Sequence, residues 1–295
     1  MEAVSLLMAD TRTPIRIPIL PWYSDHHFGG RVILAGVEAM QLLAVAAHAA
    51  HPGVDVRTMA DGRFAKLLEL PAGASSIDAL VETEDGENGT IRTRLLTRVR
   101  GKVMTRLVSH CEVRFAATSV AALHMNPLPP APAAESSVSI DAARIYEELV
   151  PFGPSFRSLQ DRLYLSAEAA WGTLQAAAPG ASAAQPLGSP FPLDGAMHAA
   201  CVHGQRIVDF VPFPVEFTSR HVFRPTVAGE RYRAQALLKQ WREGELIYDL
   251  SLVDEAGHLR ETVSGLLMRD VSQGLIKPPA WVKTLGPRGQ TARNG

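Results

Sequence analysis

The sequence predicts an α+β protein of two halves, each an antiparallel sheet wrapped around one apolar helix. Three observations carry this expectation. The chain has 295 residues, more than one ordinary core needs and enough for two units of about 100–150 residues each. Strand-like runs, in which β-branched and apolar residues alternate with polar ones, gather on either side of a proline-rich stretch. One alanine- and leucine-rich segment in each set has the composition of a buried helix.

Taken in order, the first set of strands is predicted at residues 4–8, 15–20, 77–84, 91–100 and 103–115. Within it, residues 36–50 are strong helix formers, apolar on nearly all sides, and predict the central helix. Residues 126–138 are rich in proline and small side chains, which support neither helix nor sheet ladder, and are predicted to be a linker. The second half repeats the plan: a short helix over 141–149, strands at 163–176, 215–223, 232–241, 246–253 and 259–268, and a helix from about Asp194 to Ile207. The domain boundaries expected are therefore 1–125, the linker 126–138, 139–271, and a loose tail over 272–295. Glycines at 86, 89, 101 and 257 fall where hairpins need positive φ.

Composition excludes several classes. Lysine and arginine total 29 against 30 acidic residues, so no global field draws the chain to nucleic acid or to an anionic membrane. Cys111 and Cys201 lie far apart, outside disulfide-framework or zinc spacing, which fits a reducing, cytoplasmic setting. His26, His27, His198 and His203 match no standard metal pattern, and no metal is expected. The N-terminus does not read as a signal peptide, and no stretch of 18 uninterrupted apolar residues suggests a membrane span. The run Arg92, Arg94, Arg98, Arg100, Lys102 and Arg106 mostly steps by two along a hairpin, a solvated face in preference to a docking surface for an acidic carrier.

Three motifs carry chemistry. Ahead of the first helix stands Asp25-His26-His27-Phe28-Gly29-Gly30, followed after four residues by Ala35 and Gly36. Opening the second helix is Asp194-Gly195-Ala196-Met197-His198, whose two polar ends, four apart, share a helix face. Between them lies Phe152-Gly153-Pro154-Ser155-Phe156. Together these resemble the His-x3-Gly-x4-Pro, Asp-x3-Gln/His and Tyr-Gly-Pro-x-Phe elements of polyketide synthase dehydratase domains, with Ala35 in place of the proline and Phe152 in place of the tyrosine. The resemblance implies a double hot-dog pseudo-dimer in which His26 and Asp194, one from each half, face a shared channel. Gly30, Gly36, Phe152, Gly153, Pro154 and His198 become candidate supporting or substrate-binding residues. It also implies an acyl chain carried on the phosphopantetheine of an acyl carrier protein or polyketide synthase module, with no cofactor of the enzyme's own, and leaves a homodimer open.

The residue chemistry fits that implication. Dehydrating a β-hydroxyacyl thioester needs a base for the α-proton, an acid for the leaving hydroxyl and donors for the enolate-like oxygen. A neutral His26 can accept a proton at cellular pH. Asp194 has to be held protonated, so burial must outweigh the pull of a helix N-terminus on its anion. The N–H groups near Gly36 are the expected oxyanion donors. Two other readings stay open: a double-bond isomerase or cyclase on the same fold, and a non-catalytic acyl- or carrier-binding module.

Overall fold

The structure, a computed structural model, describes residues 11–101, 104–117, 137–176, 185–242 and 244–285. Its N-terminal half opens with β1 (Thr11–Pro18) and a 3-10 turn over Pro21–Asp25. The small ribbon of β2 (His27–Phe28) and β3 (Arg31–Val32) leads into α1 (Gly36–Ala50). Then come β4 (Asp55–Phe64), β5 (Ser76–Asp85), β6 (Ile91–Arg100) and β7 (Thr105–Ala116). The C-terminal half runs β8 (Val138–Asp141), α2 (Ala142–Arg144) continuing through a wider turn over Ile145–Leu149, β9 (Leu159–Leu165), β10 (Ala169–Gln175) and α3 (Phe191–Gln205). It finishes with β11 (Phe213–Val222), β12 (Arg231–Arg242), β13 (Glu245–Asp254), β14 (Leu259–Arg269) and α4 (Ala280–Lys283).

The two sheets expected from the sequence meet edge to edge as one 12-stranded sheet, in the order β1-β5-β6-β7-β4-β11-β14-β13-β12-β10-β9-β8. The seam is the antiparallel pair β4–β11, where Gly62 stands opposite Phe217. Any side chain at Gly62 would meet that ring at 2.0 Å, so only glycine admits the register. Pairing the two edges also removes a pair of exposed strand edges that would otherwise invite association.

Each half wraps its helix because the helix has no other place for its apolar surface. Met40, Leu43, Ala44 and Ala47 of α1 are fully buried against a core that includes Leu95, Val113 and Phe115. Burying a leucine or phenylalanine side chain contributes about 1.5–3 kcal/mol each, which is what fixes the helix in its sheet. Gln41 ties α1 to the other half, donating to the Gly188 carbonyl at 2.5 Å and accepting from Leu187 N–H at 3.4 Å. A buried ion pair, Arg220 to Glu261 at 2.6 Å, sits near the same seam, and Arg220 also reaches the Met40 sulfur at 3.5 Å.

Several expectations change. Residues 55–64, not expected as a strand, form β4, because its neighbours supply the pairing that its own pattern does not advertise. The segment 163–176 is a hairpin, with the Ser166 hydroxyl accepting from the Glu168 and Ala169 N–H groups at the turn. Helix α3 begins three residues before Asp194, with Pro192 in its first turn. The tail expected to be loose is docked as far as Leu285. There Val282 is fully buried, the Arg144 guanidinium lies 3.5 Å over the Trp281 ring, and the Leu285 carbonyl accepts from Arg206. Residues 4–8 lie outside the described residues, as does most of the linker 126–138; its last residue, Val138, opens β8. In the basic run, Arg94 pairs with Glu82 and Glu84 and Arg92 with Glu112, so these two are cross-strand ion pairs; Lys102 lies outside the described residues.

Candidate active site

His26 follows the 3-10 turn, at the point where the chain enters the β2–β3 ribbon. Its Nδ1 lies 2.8 Å from the Ile33 carbonyl oxygen. A carbonyl can only accept, so Nδ1 carries the proton and the lone pair of the neutral ring is left on Nε2. Burial holds the imidazole below its ordinary value, outweighing the upward pull of Asp194 and of the Ile33 carbonyl. The residue as a whole is half-buried.

The Phe152–Phe156 segment reaches across from the other half and clasps this turn. Gly153 N–H donates to the Asp25 carbonyl at 2.8 Å, and Ser155 N–H donates to the Asp25 carboxylate at 2.8 Å. A Cβ on Gly153 would come within 2.3 Å of that carboxylate, so the close approach requires glycine. The clasp sets the Phe152 ring 4.5 Å from His26 and 5.1 Å from His198, so that one aromatic side chain touches histidines from both halves. Phe156, fully buried, packs beside His26 at 5.0 Å.

Asp194 and His198 project from the first two turns of α3 and are both buried. Asp194 Oδ2 is 2.8 Å from His198 Nε2, as the four-residue spacing predicts. The two atoms are not aligned as a hydrogen bond, and among the described residues neither has another hydrogen-bond partner. On its other side, His198 Nδ1 is 3.3 Å from the Tyr146 hydroxyl, which accepts from Leu159 N–H at 2.8 Å.

The remaining candidates divide. Gly36 opens α1 against the Phe64 ring, where a Cβ would come within 2.7 Å, and among the described residues no side chain caps the first N–H groups of that helix. Gly30 is exposed and serves the turn of the ribbon, with φ +76°. Pro154 is also exposed and starts the short turn that carries Phe156 inward. His27 stands beside Phe152 at 6.3 Å. His203 lies deeper in α3, 2.8 Å from the Tyr248 hydroxyl. Among the described residues no three potential ligand side chains gather as a metal site.

Three participants, Tyr146, Asp25 and Glu38, are not singled out by the sequence as site residues. Tyr146 and Asp25 act through contacts made across 52 and 130 positions of sequence. Glu38, in the first turn of α1, is buried and accepts from Trp22 Nε1 at 3.1 Å and from the Tyr23 hydroxyl at 3.5 Å, so Trp22 does more than pack. Burial pushes the Glu38 carboxyl above its ordinary range, with those hydrogen bonds opposing and the nearby Asp194 charge adding to the push.

Solved structures share this fold. The trans-AT PKS dehydratase domain from Brevibacillus brevis superposes with a TM-score of 0.72 at 18% identity, over 88% of this chain and 93% of that one. The dehydratase domain from the CurF module of curacin polyketide synthase gives 0.71 at 18%, over 91% and 96%. The bifunctional dehydratase-cyclase domain in ambruticin biosynthesis gives 0.67 at 20%, over 88% and 91%. These likenesses establish the double hot-dog fold. Among curated proteins none matches the chain. Residues 125–275 match the family described as the polyketide synthase dehydratase N-terminal domain, a span that holds Phe152, Asp194 and His198. Since that match takes in just over half of the sequence, the chain belongs to the polyketide synthase dehydratase family.

Proposed function

We propose that this dehydratase removes water from a β-hydroxyacyl thioester with His26 as the general base and Asp194 as the general acid. His26 Nε2 takes the α-proton. The electron pair moves onto the thioester carbonyl and returns to form the α,β double bond. The β-carbon–oxygen bond breaks as Asp194 gives its proton to the departing hydroxyl, and one water leaves. The observation that carries this reading is the complementary state of the two groups. The Ile33 carbonyl leaves His26 with its lone pair on Nε2, and Asp194 Oδ2 is buried with no hydrogen-bond partner among the described residues.

The uncapped N–H groups at the start of α1 are suited to the developing negative charge on the thioester oxygen, where the helix dipole favours an anion. Phe152 and Phe156 supply an apolar wall beside the base, which limits water at the reacting carbons. Dehydratases of this family work on substrates held by an acyl carrier protein within synthase modules, and we assign this chain the same form of substrate, with no cofactor of its own. Among the described residues no helix is long and apolar enough to cross a membrane.

Incubation with a panel of 3-hydroxyacyl pantetheine thioesters, read by mass spectrometry, tests the assignment. Loss of water with the parent protein, and none with His26→Ala or Asp194→Ala, is the expected result. Full turnover in either variant would overturn the residue roles. A product of unchanged mass with a shifted double bond or a new ring would replace dehydration by isomerisation or cyclisation.

A further inference from the structure

We infer that Tyr146 is a positioning residue for the dehydration: its phenolic proton, given to Nδ1 of His198, holds that imidazole as the Nε2–H tautomer, so that an N–H and not a bare lone pair lies beside Asp194. The inference rests on Asp194 acting as the acid and adds to that reading the group that keeps its proton available.

The Tyr146 hydroxyl accepts from Leu159 N–H at 2.8 Å, so its own proton needs an acceptor, and His198 Nδ1 at 3.3 Å is placed to receive it. Tyr146 is buried, and that burial pushes its phenol well above the ordinary range, so the proton stays on the oxygen. A neutral imidazole has one proton. With Nδ1 accepting, that proton is on Nε2, 2.8 Å from Asp194 Oδ2.

The alternative tautomer is costly twice over. An Nδ1–H would make the Tyr146 oxygen accept two hydrogen bonds and leave its proton buried without a partner. It would also aim the bare Nε2 at Asp194, where it would compete with the substrate hydroxyl for the acid's proton. The Nε2–H tautomer avoids this. It leaves a proton in place of a lone pair 2.8 Å from Oδ2, which does not compete for the acid's proton and favours the carboxylate once that proton has gone.

The test pairs Tyr146→Phe with a tautomer measurement and a second background. In protein with ¹⁵N-labelled histidine, the parent should show Nδ1 of His198 as the bare, accepting nitrogen, and Tyr146→Phe should lose that preference. The same change should lower kcat for the pantetheine thioester by about 10-fold or more, the value of one hydrogen bond to a charged network, with KM little moved. In a His198→Gln background, where the amide donates to Asp194 without help, removing the Tyr146 hydroxyl should cost kcat less than about 3-fold. An unchanged tautomer, or equal losses in the two backgrounds, would overturn the inference. Because the tautomer is read without turnover, a parent protein that fails to dehydrate would count against Asp194 as the acid and leave the Tyr146–His198 geometry separately judged.

Discussion

The two central helices start alike and end up in different employment. Each places a carboxyl group in its first turn, Glu38 as the third residue of α1 and Asp194 as the fourth of α3. Both are buried. Glu38 has its oxygens taken by Trp22 and Tyr23, whereas Asp194 Oδ2 has only a misaligned His198 beside it. The difference lies in the partners that the rest of the half supplies. A buried carboxyl whose oxygens are satisfied holds structure together, and one left short of a partner is free to bond to something that comes and goes.

The largest test of that contrast is the loss of the open carboxyl or of its base. Asp194→Asn and His26→Ala should each lower turnover of a 3-hydroxyacyl pantetheine thioester by roughly 100- to 10,000-fold, the usual contribution of a positioned acid or base. Asp194→Asn should leave the melting temperature unchanged or higher, because the chain stops burying an unsatisfied ionisable group. A clear drop in melting temperature would mean that Asp194 is structural after all, as Glu38 is.

The next effect concerns the clasp between halves. Gly153→Ala drives a methyl into the Asp25 carboxylate, which must then release Ser155 N–H and let Phe152 move off His26. Displacements of about 1 Å at a reacting group can cost on the order of 100-fold, so steady-state kinetics should show kcat reduced by about 10- to 100-fold. Wild-type kcat in this variant would show that the two halves hold His26 in place without the clasp.

Acidity separates the helices again. The thirteenth residue of each is histidine, yet His48 of α1 faces solvent while His203 of α3 is buried against Tyr248. Five strands come from the first half and seven from the second, and all of α3 is enclosed. Burial pushes His203 down to about 4. Between that value and about 6.5 the unfolded chain binds a proton that the native one refuses, so stability is complete above pH 6.5 and erodes as pH falls through the window. Up to about 3 kcal/mol is at stake, read as a falling urea midpoint that a His203→Gln variant no longer shows. His26 is also held below its ordinary value, so the acid limb of kcat/KM should lie below about pH 6.5. An acid limb above that pH would contradict a neutral, crowded base.

What could be read from the sequence follows the same division between local and distant causes. Helix α1 is legible to the residue because its composition is uniform from Gly36 to Ala50. The pairing of Asp194 with His198 is legible because four residues is a helix's own repeat. Strand β4 is not, since Asp61 (φ +51°) and Gly62 interrupt its alternation, and what makes it a strand is pairing with β7 and β11. Tyr146 and Asp25 stay hidden for the same reason. Nothing near them in the sequence announces His198, which meets Tyr146 only when its own half has folded, or Ser155, which meets Asp25 only after the halves have closed. Glu38 misleads more actively, because a charge on a helix reads as a solvated face until Trp22 and Tyr23 fold over it.

That concealed carboxyl gives the smallest effect and the sharpest control. Glu38→Gln keeps an oxygen for Trp22 Nε1 and offers Tyr23 an amide in place of an oxygen, while removing an ionisable group that burial already disfavours. Turnover should change by less than about 3-fold, and stability by no more than about 1 kcal/mol in urea unfolding. Glu38→Ala should instead lose about 1–3 kcal/mol, because it leaves the Trp22 donor without its acceptor, and still retain most of its kcat. The pattern therefore crosses: altering Asp194 removes activity and spares stability, and deleting Glu38 spares activity and removes stability. If Glu38→Gln lost activity as deeply as Asp194→Asn, the two helix starts would be equal partners in the chemistry, and the satisfied hydrogen bonds of Glu38 would be holding a second reactive group in wait.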